Sequence, residues 1–178
     1  MTAPLELPTA HDVETLVRAA GSTFLVTARD GNIEPAGARQ LGFFQRDNRY
    51  LSYYRLCVHG GDVVHLPGDD AGGVVNQIDL MLSSPTHGNL DDPQNFLHIR
   101  RRQLVDADGL LEMLDLTSFI GRRLELELSI QFACDFADIF EVRGAVRERR
   151  GEMLPPILYP DGVDLRYLGR DNLEYQSR

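Results

Sequence analysis

FLHIRRRQLVDADGLLEMLDL, residues 96–116, reads as two strand-like apolar segments joined at Asp-Ala-Asp-Gly. Apolar residues flank a turn signal on both sides, so the segment predicts a β-hairpin with Asp108-Gly109 in the tight turn, where positive φ is tolerated best. Asp30-Gly31 and Asp161-Gly162 also sit between apolar segments and carry the same expectation. In RLELELSIQF, Leu124, Leu126, Leu128, Ile130 and Phe132 alternate with Glu125, Glu127, Ser129 and Gln131. That alternation means a strand with one wet face.

Further strand-like segments lie at 23–28, 50–58 and 74–82. Short strands punctuated by turns predict an all-β antiparallel sandwich rather than a parallel sheet with crossover helices. One short N-terminal helix is the exception: DVETLVRAAG has Asp12 as a cap, Val13, Leu16, Val17 and Ala20 at helical spacing, and Gly21 as a stop, with a strand over TLVRA as the alternative. The expected organisation is an extension over 1–21, a sandwich core over 22–151, and either a final hairpin or the start of a linker over 152–178.

Composition narrows the function. A chain of 178 residues suits one buried domain, and its net charge of −9 repels polyanions, which argues against nucleic acid. Every basic residue is arginine. Cys57 and Cys134 show no metal-ligand spacing, and no cofactor or metal is expected. No run approaches ~18 apolar residues and the N-terminus lacks signal-peptide character, so no membrane association is expected and the cytoplasm is the default location. The histidines form no HExxH, Ser52 sits in no G-x-S-x-G elbow, and phosphate-loop and dinucleotide fingerprints are missing.

Three clusters could carry chemistry. Asp135, Asp138 and Glu141 recur at three-residue spacing, followed by an arginine-rich run that begins at Arg143. A helix over them gives no single buried stripe. A strand instead places Phe136, Phe140, Val142 and Val146 on one side and Glu141, Arg143, Arg147 and Arg149 on the other, with a bulge or corner near Asp135 to Asp138. The acids then serve turns and arginine contacts, or, alternatively, two of them form a general acid/base pair.

The second cluster, GFFQRDNRYLSYYRL at 42–56, offers an ion network of Arg46, Asp47 and Arg49. Its Tyr50, Tyr53 and Tyr54 either fill a sheet face or stack on a sugar ring, although a chain without tryptophan is a poor lectin. In the third, a strand turns Arg101 to the face opposite Arg100 and Arg102. One of the three is then a candidate for burial against an acid, and the others for a solvated edge or an anchor for a partner's carboxylate or phosphate.

Taken in order, the segments around Asp47-Asn48-Arg49-Tyr50-Leu51-Ser52, Asn76 to Leu80, Arg100 to Arg102 and DFADIFEVRG at 135–144 resemble the N-terminal domain of a group of bacterial and archaeal amylo-α-1,6-glucosidases, relatives of glycogen debranching enzymes. Asn48 replaces a usual threonine, and Asn76 to Asp79 carries one extra residue. The resemblance covers roughly residues 22–151, and its ten-residue final segment is the most specific part. It implies a sandwich of the glycoside-hydrolase N-terminal supersandwich type, packed on a barrel of six helix pairs in the same polypeptide that carries the catalytic carboxylates. The chain would then be a non-catalytic accessory domain in α-glucan metabolism. Asp47, Arg49, Tyr50, Arg100, Arg102, Asp135, Asp138, Glu141 and Arg143 become candidates for interdomain or substrate contact, with two alternatives: a standalone glucan-binding module, or a small glycosidase using two of Asp135, Asp138 and Glu141, whose carboxylates need a separation of roughly 5 to 9.5 Å.

Overall fold

The computed structural model describes residues 15–34, 40–59, 61–67, 73–83, 95–121 and 123–178. Within them the chain is almost entirely antiparallel β. β1 (Thr15–Ala20), β2 (Thr23–Ala28), β3 (Gly42–Gln45) and β4 (Asn48–Leu51) form one sheet in that order. β6 (Asp62–His65), β7 (Val75–Ser83), β8 (Asn95–Val105) and β9 (Leu110–Ser118) form a second four-stranded sheet. β5 (Tyr53–His59) pairs with β10 (Glu127–Ala133), and β11 (Glu152–Tyr159), β12 (Gly162–Leu168) and β13 (Glu174–Ser177) make a three-stranded sheet. One helical turn, α1 (Ile139–Val142), interrupts the β structure.

The predicted hairpin is β8–β9, in register from Leu97 opposite Ser118 to Val105 opposite Leu110. Alternation on β8 aims Leu97, Ile99, Arg101, Gln103 and Val105 at the interior, each at most 2% exposed. Ile78, Leu80 and Leu82 of β7 join this face, and Leu16, Val58, Leu124 and Leu126 pack against it. A second cluster, Leu25, Ile33, Leu41, Phe43 and Val105, fastens the first sheet to the second. The opposite face of the first sheet carries Phe24 and Phe44, stacked at 4.6 Å, against Ala137 and Val142. The result is the expected all-β sandwich.

Two polar side chains within the inner row of β8 need explanation, since a buried charge is costly unless it is paired and hydrogen-bonded. The Arg101 side chain is fully buried. Its Nε donates to Glu112 Oε1 at 2.6 Å, Nη1 to the Asp30 carbonyl at 2.6 Å and to Asn32 Oδ1 at 2.8 Å, and Nη2 to the Gly31 carbonyl and Glu112 Oε2, both at 3.4 Å. All the donors of the guanidinium are thereby used. Gln103 Nε2 donates to the Gly31 carbonyl at 2.9 Å, and Asn76 Nδ2 to Gln103 Oε1 at 3.3 Å. Gly31, at φ 81°, is required twice over, by its backbone and by space: a Cβ there would meet Ile78 Cδ1 at 2.6 Å and the Arg101 guanidinium carbon at 3.2 Å.

Four sequence expectations need correction. The proposed N-terminal helix is instead β1 over Thr15–Ala20, while Asp12 and Val13 lie outside the described residues. Gly21, at φ 63°, is the first central residue of a two-residue turn, so all six β1 residues pair with β2 and the strand alternative is the one realised. Of the three Asp-Gly pairs, only Gly31 has positive φ; the two adjacent positive-φ residues of a two-residue hairpin are Arg46 and Asp47, at 48° and 64°. β10 begins at Glu127, not Leu124, and its apolar face is partly open: Leu128, Ile130 and Phe132 are 36%, 46% and 45% exposed. Finally, the corner expected near Asp135 to Asp138 is present, with Phe136 at φ 49°, but the strand expected beyond it is a helical turn over Ile139–Val142.

Replacing Arg101 with leucine removes the charged partner of a Glu112 side chain that is only 9% exposed, and it takes from the Asp30 carbonyl the donor that Arg101 supplied. Breaking a buried pair from one side costs about 3 to 5 kcal/mol. Urea unfolding of Arg101→Leu should report a loss of that size, against well under about 1 kcal/mol for a surface change such as Arg123→Leu.

Candidate functional site

The Arg46-Asp47 turn forces two side-chain-bearing residues into the left-handed region, at a cost of about 1 to 2 kcal/mol each. It is held from both sides: Arg46 N donates to the Ser22 carbonyl at 3.2 Å, and Ile139 N donates to the Asp47 carbonyl at 2.9 Å. Asp47 thus acts through its backbone. Two residues on, Arg49 N donates to the Ala137 carbonyl at 2.8 Å, and its guanidinium grips Asp135 with two hydrogen bonds, Nε to Oδ1 at 3.1 Å and Nη2 to Oδ2. Arg49 Nη1 reaches the Leu41 carbonyl at 3.1 Å, and Asp135 Oδ1 also accepts from Ala137 N at 3.2 Å. The motif segment around Asp47 to Ser52 and the one at 135–144 therefore meet as one joint.

Beyond Asp135 the chain turns at Phe136, at φ 49° and 3% exposed. Its ring lies edge-on to Tyr50 at 5.6 Å and stacked with Tyr167 at 5.7 Å, and this aromatic column ties the three-stranded sheet to β4. Asp138 then starts α1 as its N-cap. Oδ1 accepts from Phe140 N at 2.8 Å and Glu141 N at 2.9 Å, and Glu141 Oε2 accepts in return from Asp138 N at 3.1 Å, completing a capping box.

The arginine-rich run folds back on these acids. Arg147 pairs with Asp138, and Arg150 Nε lies 3.1 Å from Glu141 Oε1 while its Nη2 donates to the Asp135 carbonyl at 2.7 Å. Arg143 is the exposed C-cap, its N–H donating to the Ile139 carbonyl at 3.1 Å. Phe140 and Val146, which a strand would have turned inward, are 66% and 93% exposed instead.

Seven of the nine candidate residues thus gather at one corner: Asp47, Arg49, Tyr50, Asp135, Asp138, Glu141 and Arg143. Arg100 and Arg102 lie elsewhere, on the outer face of the second sheet. Arg100 Nε is 2.8 Å from Asp79 Oδ1, which also binds His98 Nε2 at 2.7 Å, and Arg102 Nη2 pairs with Asp115 at 2.6 Å. Partial burial resists ionisation of Asp79, yet Arg100 and His98 prevail and hold its carboxyl below the usual range.

Next to this corner, sharing Tyr50 with it, opens a groove of about 540 Å³ between β4, β5, the β8–β9 turn, β10 and the last two strands. Tyr54 forms part of its wall, its hydroxyl donating to Glu112 Oε2 and its ring 5.9 Å from the Arg101 guanidinium. Burial and the Glu112 carboxylate push the Tyr54 phenol well above its ordinary range. Sequence reading did not single out Glu112, and its only signal was the odd-phase Arg101 that needs an acid. Burial also pushes the Cys134 thiol up to about 11. Among the described residues, no three His, Cys, Asp or Glu side chains gather to hold a metal ion.

The family model for the N-terminal domain of (some) glycogen debranching enzymes matches residues 19–178. The chain belongs to that family. No curated protein and no solved structure matches it. The matched span takes in both motif segments of the Arg49–Asp135 joint and continues through β11, β12 and β13, beyond the residues on which the sequence resemblance was drawn.

Substituting Asp138 by alanine removes the cap of α1 and the partner of Arg147. The expected loss is about 1 to 2 kcal/mol of stability by urea unfolding, with Asp138→Asn retaining most of the capping contribution.

Proposed function

We propose that this chain is a non-catalytic β-sandwich domain of a glycogen-debranching type of glycoside hydrolase, with bond cleavage carried by a separate helical-barrel domain of the same polypeptide. The observation that carries this reading is the commitment of the acids. Asp135 is clamped by Arg49, Asp138 caps α1 and pairs with Arg147, and Glu141 closes the capping box and meets Arg150. A glycosidase needs one carboxylate free to donate a proton and another free to attack or activate water. Both roles require oxygens that here are already bonded.

The reading assigns the domain to interdomain contact and substrate positioning. Phe140 and Val146, at 66% and 93% exposure in the segment that follows the corner, support contact with a second domain there. Polar interdomain interfaces also accommodate arginines such as Arg143. The same reading carries a cytoplasmic location, in keeping with free thiols at Cys57 and Cys134.

Incubating the purified chain with an α-1,6-branched glucan and measuring released reducing sugar tests the proposal. Release at the level of the buffer blank is expected. Hydrolysis that disappears in Asp138→Asn or Glu141→Gln would overturn it.

A further inference from the structure

β9 is the last strand of its sheet, and among the described residues no strand pairs with its second edge. Its register with β8 tells which backbone groups that edge presents. Phe119 N donates to the Phe96 carbonyl at 2.9 Å at one end of the hairpin, and Asp106 N to the Gly109 carbonyl at 3.0 Å at the other. Hydrogen-bonded and non-hydrogen-bonded pairs alternate along an antiparallel ladder, so the odd-numbered residues of β9 bond to β8. The N–H and C=O groups of Leu110, Glu112, Leu114, Leu116 and Ser118 therefore point to the open edge.

Sheets usually blunt such an edge with prolines, bulges, brevity or an inward-pointing charge. The β6 edge of the same sheet is four residues long, and β11, at the edge of the three-stranded sheet, carries Pro155 and Pro156 with a register shift. β9 runs nine residues with neither proline nor register shift. Its inward charge, Glu112, is taken up by Arg101 and Tyr54, and on the outer face Asp115 pairs with Arg102.

The inward face of β10 is open beside the same edge. Leu110 and Leu114 of β9 line one groove with Ile130 and Phe132 of β10. Those two are 46% and 45% exposed, although they stand opposite Leu56 and Tyr54 on the inward face of the β5–β10 pair. Leu116, on the inner row of β9, is 43% exposed. A further strand hydrogen-bonded to β9 would lay its own inward side chains over these residues, provided that it is apolar at every second position.

β9 itself meets that description. Two copies paired antiparallel about a two-fold axis at Leu114 set Glu112 opposite the partner's Leu116 and Asp115 opposite the partner's Met113, with no like charges directly opposed. An axis normal to the sheet keeps both inner faces on one side, so each copy covers the other's groove and the contact closes on itself. Two nine-residue edges, with Leu111, Met113, Leu116, Ile130 and Phe132 from each copy, reach roughly the 1,000 Å² that a specific interface needs. An unrelated extended peptide supplies one strand and covers one groove, whereas a second copy covers two with the same contacts.

We infer that β9 is a self-association edge, through which two copies of this chain join their four-stranded sheets into one. The pairing does not rest on the accessory-domain reading and uses neither Phe140 nor Val146.

The test is sedimentation velocity of the purified chain across the micromolar range in about 0.15 M salt, which screens the net charge of −9 on each copy. A dimer is expected. Leu116→Lys sets a cation into the paired edge, and Leu114→Pro removes an edge-facing N–H but no bond to β8; each weakens the dimer at least about tenfold. Leu158→Lys, on β11, leaves it unchanged. Far-UV circular dichroism verifies the folds, and Leu116→Lys, which alters a half-exposed side chain, carries the test where Leu114→Pro fails to fold. Amide exchange adds a readout specific to the edge: the Leu114 and Leu116 amides slow as chain concentration rises, while the Met113 amide is protected throughout. A monomer at every concentration overturns the inference, as does a dimer that survives both edge variants or yields equally to Leu158→Lys. A monomer that binds a synthetic peptide of residues 110–118 also overturns it, and assigns the edge to a strand of another protein. Species that grow beyond the dimer contradict the closed two-fold pairing.

Discussion

Burial of one guanidinium organises this sandwich. Arg101 sits at the middle of β8, where an apolar residue would be the ordinary choice, and it reaches the Asp30-Gly31 turn, Asn32 and Glu112 at once. Asn32 Oδ1 also accepts from Leu56 N at 3.1 Å, and Tyr54 closes the network from β5. One side chain thereby fixes how the first sheet, the second sheet and the β5–β10 pair meet. Apolar residues that replace both Arg101 and Glu112 and pack well would match the pair's contribution to stability, whereas removing one partner alone is costly. What the charge adds is geometry, since its planar donors accept partners only in set directions.

A second joint, Arg49 with Asp135, does for the corner what Arg101 does for the interior. It binds the β3–β4 turn to the segment leading into α1, and Phe136 and Tyr167 carry the connection on to the three-stranded sheet. Acid-rich motifs invite a catalytic interpretation. Here Asp135, Asp138 and Glu141 are each held by an arginine and by backbone donors.

Alternation made much of this legible in the sequence. The β8–β9 hairpin, β2, β7 and the opposite facing of Arg101 follow from a period of two, which local sequence expresses directly. The corner near Asp135 to Asp138 followed from the cost of turning Asp138 to an apolar face, but the helical turn after it did not, because four residues of helix are too short to show a period, and because the cap that starts α1 is recognisable only as Asp138 and Glu141 at three-residue spacing, a pattern that acid catalysis shares. The β1 segment misled for the opposite reason. Leu16, Val17 and Ala20 fit helical spacing, yet pairing with β2 across the Gly21 turn decided the outcome. The groove was beyond reach, since Tyr54, Asp108, Phe132 and Gln176 are brought together only by the packing of several separate strands.

A double-mutant cycle between Arg49 and Asp135 tests most directly whether the motif residues are structural. Urea unfolding of Arg49→Ala, Asp135→Ala and the double variant gives the coupling energy of the pair. A coupling of about 2 to 3 kcal/mol is predicted, the upper range for contacting groups in one network. A coupling near zero, with each single variant as stable as the parent chain, would contradict the account and return Asp135 to the set of residues available for chemistry.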